Sequence, residues 1–124
     1  MLAPVEIRVR RASRRLEIDF EGGQAFTYPA EYLRVESPSA EVQGHTAKDK
    51  VLVFGKAEVG ISTVDAIGHY AIRIHFDDGH DTGIFTWAYL QTLGQEQTQR
   101  WAAYLAELEK KGLSRQPNKK GLFF

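Results

Sequence analysis

The chain repeats itself. Residues 16–33, LEIDFEGGQAFTYPAEYL, lie over residues 72–90, IRIHFDDGHDTGIFTWAYL, with one residue of slack. Leu16, Ile18 and Phe20 alternate with polar residues in the first stretch, as Ile72, Ile74 and Phe76 do in the second. Successive side chains of a strand point to opposite faces, so this period of two marks half-buried strands. Each half reads strand, strand, turn, strand, helix. Neither could cover its apolar face alone, so the two should pack on each other. The expected fold class is α+β: a two-layer, mostly antiparallel sheet built from two strand-strand-strand-helix halves, plus a C-terminal amphipathic helix.

Within the first half, Val5, Ile7 and Val9 alternate along Val5 to Arg10, and Arg11 to Arg15 forms the hairpin. Glu21-Gly22-Gly23 turns the chain into a third strand, Gln24 to Tyr28. Pro29 to Arg34 then reads as a short helix with proline in its first position, where a missing N–H costs nothing. Ser37-Pro38-Ser39 ends it, because the residue before proline avoids helical angles. Residues 36–50 are polar and read as a loop of about 15 residues, a length that is often functional. Val51 to Phe54 reads as a short strand.

In the second half, Val59, Ile61 and Val64 predict a strand bulged near Thr63. Asp77-Asp78-Gly79-His80 is a turn and Gly83 to Thr86 a strand. Thr86 caps a helix that starts at Trp87, with Leu90 and Leu93 inward. Residues 95–111 form the amphipathic helix, with Trp101, Tyr104, Leu105 and Leu108 on one side. The expected domain is residues 1–111, followed by a polar tail, 112–124, that closes with Leu122-Phe123-Phe124.

The 124 residues suit one domain. Sixteen basic residues balance sixteen acidic ones. A chain without net charge has no general attraction for nucleic acid or an anionic membrane. The absence of cysteine excludes disulfides, thiolate catalysis and cysteine-held metal clusters. The start MLAPVEIRVRR lacks a signal-peptide core, and no run of about 18 apolar residues occurs. A bacterial-type cytoplasmic protein is expected.

Two stretches carry a resemblance: LRVESPSAEVQGH, residues 33–45, and GHYAIRIHFDDGHDTGIFTW, residues 68–87. With them the chain resembles the gamma-butyrobetaine hydroxylase-like N-terminal domain family, a domain of unknown function, over residues 4–108. The resemblance implies a domain that stands alone in bacteria, is fused elsewhere to P-loop ATPases that carry iron–sulfur clusters, and precedes the catalytic domain of carnitine-pathway dioxygenases. Neither the P-loop nor the dioxygenase core is present, so neither activity transfers. Those dioxygenases hold zinc with three cysteines and a histidine. Their positions fall here at Ser37, Ser39, about Val42 and His80. Serine is a poor zinc ligand and valine is none, so no cofactor is expected and His80 is left as a residual metal candidate.

From the residues themselves, His80 with Asp78 or Asp81, joined by His45, is the one histidine cluster that chain spacing permits. A turn histidine bonded to a carbonyl or carboxylate is the plainer reading. Asp77, Asp78 and Asp81 crowd a turn, where aspartate serves its own backbone. Ser37 and Ser39 beside His80 suggest a nucleophile only superficially, since serine flanking proline is ordinary turn chemistry. The arginines of residues 8–15 share their face with Glu6, Glu17 and Asp19, which can neutralise them.

The remaining surface joins Arg34, the loop Ser37 to His45 and the turn Asp77 to Asp81. Arg34 can pair with Glu41 or Asp78 and hold the loop, or the surface can dock a partner. The partner-binding candidates are Arg34, Ser37, Ser39, Glu41, His45, Asp78, His80, Asp81 and Trp87. The expected function is a non-catalytic binding or accessory module for an iron–sulfur or metal-handling P-loop ATPase, with no nucleic acid or membrane partner. The alternative is a metal- or small-ligand-binding domain that uses His80 with Asp78 and His45.

Overall fold

A computed structural model describes residues 2–44 and 50–117. Three strands open the chain: β1 (Pro4–Arg10), β2 (Arg15–Phe20) and β3 (Ala25–Pro29). They are followed by α1 (Ala30–Val35) and the single turn α2 (Ala40–Gln43). The second half supplies β4 (Ile61–Ile67), β5 (Ala71–Phe76), β6 (Ile84–Thr86) and α3 (Trp87–Gln95). Helix α4 (Gln97–Lys111) completes the set.

The strands form two antiparallel sheets, β1-β2-β3 and β4-β5-β6. The repeat extends to their irregularities. The register slips between Pro4 and Glu6 opposite Phe20, and again between Ile61 and Thr63 opposite Phe76. The bulge expected near Thr63 is thus present and has a counterpart in the first half. Arg11 Nε reaches across to the carbonyl of Ser62 at 2.8 Å, tying the tip of the first hairpin to β4.

One core serves both halves. Leu16, Ile18, Phe20 and Tyr28 meet Ile72, Ile74, Phe76 and Phe85, with Leu33, Leu90 and Leu93 from the helices. Two tyrosines of the first half are bonded to α3 of the second: Tyr28 Oη donates to the Leu90 carbonyl and Tyr32 Oη to that of Leu93, both at 2.7 Å. Buried hydroxyls that find acceptors stabilise the fold by about 1 kcal/mol each. Thr86 caps α3 as expected, accepting from the Tyr89 N–H at 3.1 Å.

Several expectations are corrected. Pro29 is not the first helical residue. Its extended ψ of 141° makes it the last residue of β3, paired with Arg15, and α1 starts at Ala30. Val51 to Phe54 is no strand: no strand pairs with it among the described residues, and Leu52 and Val53 pack against the helices instead. The expected loop contains α2, with Ser39 Oγ accepting from the Glu41 N–H at 3.1 Å. Leu105 faces outward, 39% exposed, because α4 buries only the line through Tyr104 and Leu108.

That line builds a second, smaller core from Val35, Tyr104 and Leu108, with Leu52, Val53, Trp101 and Leu113 packed against it. Gly112 ends α4 in the left-handed region, φ 68°, where glycine carries no steric penalty. Residues 114 and 115, in the segment read as a tail, then accept from the N–H groups of Gly55 and Ala57 at 2.9 and 2.8 Å. Leu122-Phe123-Phe124 lies outside the described residues.

Candidate functional site

The loop after α1 meets the turn after β5, as the repeat suggested. Arg34, in the last turn of α1, bonds Asp78 through Nε at 2.9 Å. Lys56 Nζ lies 2.6 Å from the same carboxylate oxygen, and the His80 N–H donates to the other at 3.1 Å. Burial pushes the Asp78 carboxyl up, but Lys56, the His80 N–H and Arg34 outweigh it and hold it at about 2. Asp78 is therefore a fixed anion inside a cationic bracket, and Arg34 acts on the turn.

Beside this pair, His80 is buried, 6% exposed, between two partners. Its Nδ1 lies 3.0 Å from Glu41 Oε1 and its Nε2 2.9 Å from Ser37 Oγ. A second path closes the circuit: Ser39 Oγ lies 2.6 Å from Thr82 Oγ1, which donates to Glu41 Oε1 at 3.2 Å. Burial lowers the proton affinity of His80, and the Arg34 charge lowers it further. The Glu41 and Asp78 carboxylates oppose this without cancelling it, so the ring is held below its ordinary pKa.

Serine, histidine and carboxylate in line are the parts of a nucleophilic relay. Here, however, Ser37 is 0% exposed and the backbone of Gly83 packs directly on its Oγ. No substrate carbonyl fits between them, so the line acts as a cross-link between loop and turn.

Other candidates are placed elsewhere. Asp81 stays outside the ring, 55% exposed at its side chain, with an oxygen 3.8 Å from His75 Nδ1. Trp87 sits at the far end of β5, where its N–H bonds Tyr70 and its Nε1 bonds the His69 carbonyl. The six residues of β5 separate it from the turn at Asp78 by roughly 20 Å. His45 lies outside the described residues. Among the arginines of residues 8–15, Arg8 is ringed by Glu6, Glu17 and Asp19, all within 3.0 Å.

A second feature escaped the sequence reading. Residues 50–53 and α4 enclose an open groove of about 400 Å³. Val35, Leu52, Val53, Ala103 and Tyr104 form its apolar lining, and Val51 lies on its wall 49% exposed. At one rim the buried carboxylate of Glu36 holds Lys50 at 3.3 Å and Arg100 at 3.2 Å. Tyr104 Oη fastens the wall by donating to the Val53 carbonyl at 2.8 Å. The apolar run at Val51 was the available signal, but its use as a groove wall needs α4 beside it.

Comparison with known families gives one match: residues 7–91 fit the family described as gamma-butyrobetaine hydroxylase-like, N-terminal. The chain belongs to this family. Two solution NMR structures are similar to this gamma-butyrobetaine hydroxylase-like domain. One is 46% identical, with a TM-score of 0.84 over 100% of this chain and 98% of that one. The other is 44% identical, with a TM-score of 0.81 over 94% and 87%. A crystal structure from Acidithiobacillus ferrooxidans, of a protein of unknown function in the DUF971 family, is 43% identical. Its TM-score is 0.62 over 73% of this chain and 91% of that chain. No curated protein matches.

The zinc that the resemblance implies for dioxygenase members does not fit this chain. The matching positions offer two hydroxyls, an apolar side chain and one imidazole whose nitrogens are both engaged. Among the described residues no three His, Asp or Glu side chains are placed to share an ion. Asp78 is likewise committed to Arg34 and Lys56.

Proposed function

We propose that this gamma-butyrobetaine hydroxylase-like domain is a non-catalytic binding and accessory module, and that it docks a protein partner along the groove between α4 and residues 50–53. The supporting observation is the position of the groove. It is open, apolar and rimmed by charge, whereas the polar cluster formed by Ser37, Ser39 and His80 is turned inward. Exposed apolar surface with a polar rim suits protein association. The partner class suggested by fusions within the family is a P-loop ATPase that carries iron–sulfur clusters, which would place the encounter in the cytoplasm. That step rests on association between domains.

The test is a calorimetric titration of the purified chain against such an ATPase, wild type beside Ala103→Arg. Ala103 is exposed on the groove lining, so arginine fills the groove without disturbing the core. Binding by wild type and at least a tenfold loss in the variant is the expected result. Equal binding by both removes the groove from the interface, and no binding by either removes this partner class.

A small amphipathic ligand is the second reading. A cavity of 400 Å³ lies within the range of small-molecule sites, and Glu36, Lys50 and Arg100 could orient a polar head. Native mass spectrometry of the freshly purified chain separates the two, since a ligand travels as a fixed added mass.

A further inference from the structure

The hydrogen-bonded circuit between loop and turn has a consequence for metal dependence. Glu41 is acceptor-only, so the His80 proton sits on Nδ1 and points at it, and Nε2 must accept. Ser37 therefore donates to Nε2, while its Oγ accepts the Ser39 N–H at 3.3 Å. Ser39 Oγ already accepts the Glu41 N–H, which leaves its own proton for Thr82. Thr82 passes its proton to Glu41. Every donor in the circuit has an acceptor, and both paths end on the Glu41 carboxylate. The circuit joins segments more than 40 residues apart in the chain.

We infer that this circuit is a metal-free clamp: it does by hydrogen bonding the cross-linking that a bound ion would do between the same two segments, on a scaffold that retains a metal site's geometry. An imidazole whose Nδ1–H is held by a carboxylate, leaving Nε2 aimed at the next donor, is the usual arrangement around a ligating histidine. At position 37 it is the donor atom that is wrong. With sulfur at position 37, a tetrahedral ion bridging Nε2 and Sγ needs them about 3.5 Å apart. The present oxygen lies at 2.9 Å. The required expansion is about 0.6 Å. Ser39 Oγ reaches the same turn at Thr82, 2.6 Å away, and Val42 is buried three residues further on.

The experiment introduces the missing thiols, Ser37→Cys/Ser39→Cys/Val42→Cys, beside wild type under reducing conditions. The clamp predicts that the variant takes up one zinc per chain and melts several degrees higher with zinc than with chelator. Its cobalt form should show thiolate-to-metal charge transfer. Wild type should melt at the same temperature with zinc, with chelator and without either. A folded variant that binds no zinc overturns the inherited geometry, and a wild type that loses stability to chelator overturns the metal-free clamp. Should the variant not fold alone, refolding in zinc decides: recovery supports the geometry, failure overturns it. The clamp is read separately from a double-mutant cycle of Ser37→Ala and Thr82→Val. Non-additive losses in melting temperature are expected of one circuit, and additive losses overturn it.

Discussion

The Arg34 guanidinium and the Asp78 carboxylate meet at 2.9 Å, joining the helix of the first half to the turn of the second. Lys56 bonds the same carboxylate, so Asp78 serves two cations from separate segments. Asp78→Asn leaves both charges half-buried and unpaired. A loss of about 2 kcal/mol is expected. Urea unfolding of Asp78→Asn checks it, and a loss below about 0.5 kcal/mol would show that the bracket does not hold the turn.

The same carboxylate sets an acid limit. Its folded pKa of about 2 lies below the ordinary value near 3.9, so the unfolded chain binds its proton first as pH falls. Its contribution is complete above about pH 4 and is lost as pH falls through about 2. Melting curves from pH 5 to 2 should drop less steeply for Asp78→Asn than for wild type.

His80 acts one window higher. Its folded proton affinity is lowered, chiefly by burial, so the unfolded state takes up the proton first. The contribution is full above about pH 6.5 and declines as pH falls towards the folded pKa. His80→Gln should flatten the pH dependence of melting between pH 6.5 and 5. An unchanged slope in that variant would assign the dependence to another group.

Gly94 lies against the face of Phe26, and a Cβ placed there would sit 2.5–2.6 Å from three ring atoms. Inside a helix alanine normally gains about 1 kcal/mol over glycine, and less at the second-last position that Gly94 holds in α3. Here the clash wins, because the ring is wedged between Phe20 and Tyr28. Gly94→Ala should destabilise by roughly 1–3 kcal/mol, measured by denaturant midpoint. A stabilised variant would mean that α3 and β3 are packed less closely.

Tyr104→Phe removes the hydroxyl that fastens the groove wall at Val53. The expected loss is about 1 kcal/mol, with faster amide exchange confined to residues 51–54. Unchanged exchange there would show that Leu52 and Val53 are held by packing alone.

Much of the fold was legible because strand alternation and helix caps are local. Leu16, Ile18 and Phe20 declare a buried face by spacing alone, and Thr86 caps α3 through a neighbour three residues away. Arg34 with Asp78 was also within reach, since the repeat aligned their elements. Illegible were features made by distant segments: the bond from Glu41 to His80, the part played by Thr82, and the role of residues 51–54 against α4. Trp87, seven residues after His80 in the chain, stands at the other end of β5, a separation that only the fold shows.

The sequence by itself determined two similar halves, their antiparallel strands and their joint core, because residue spacing decides which side chains share a face. Only the tertiary structure decided that Ser37 and His80 face inward and that the open apolar surface lies along α4. Those outcomes depend on which backbone stands opposite. The approach of Gly83 seals Ser37, while the nearness of α4 turns a run of apolar residues into the wall of a groove.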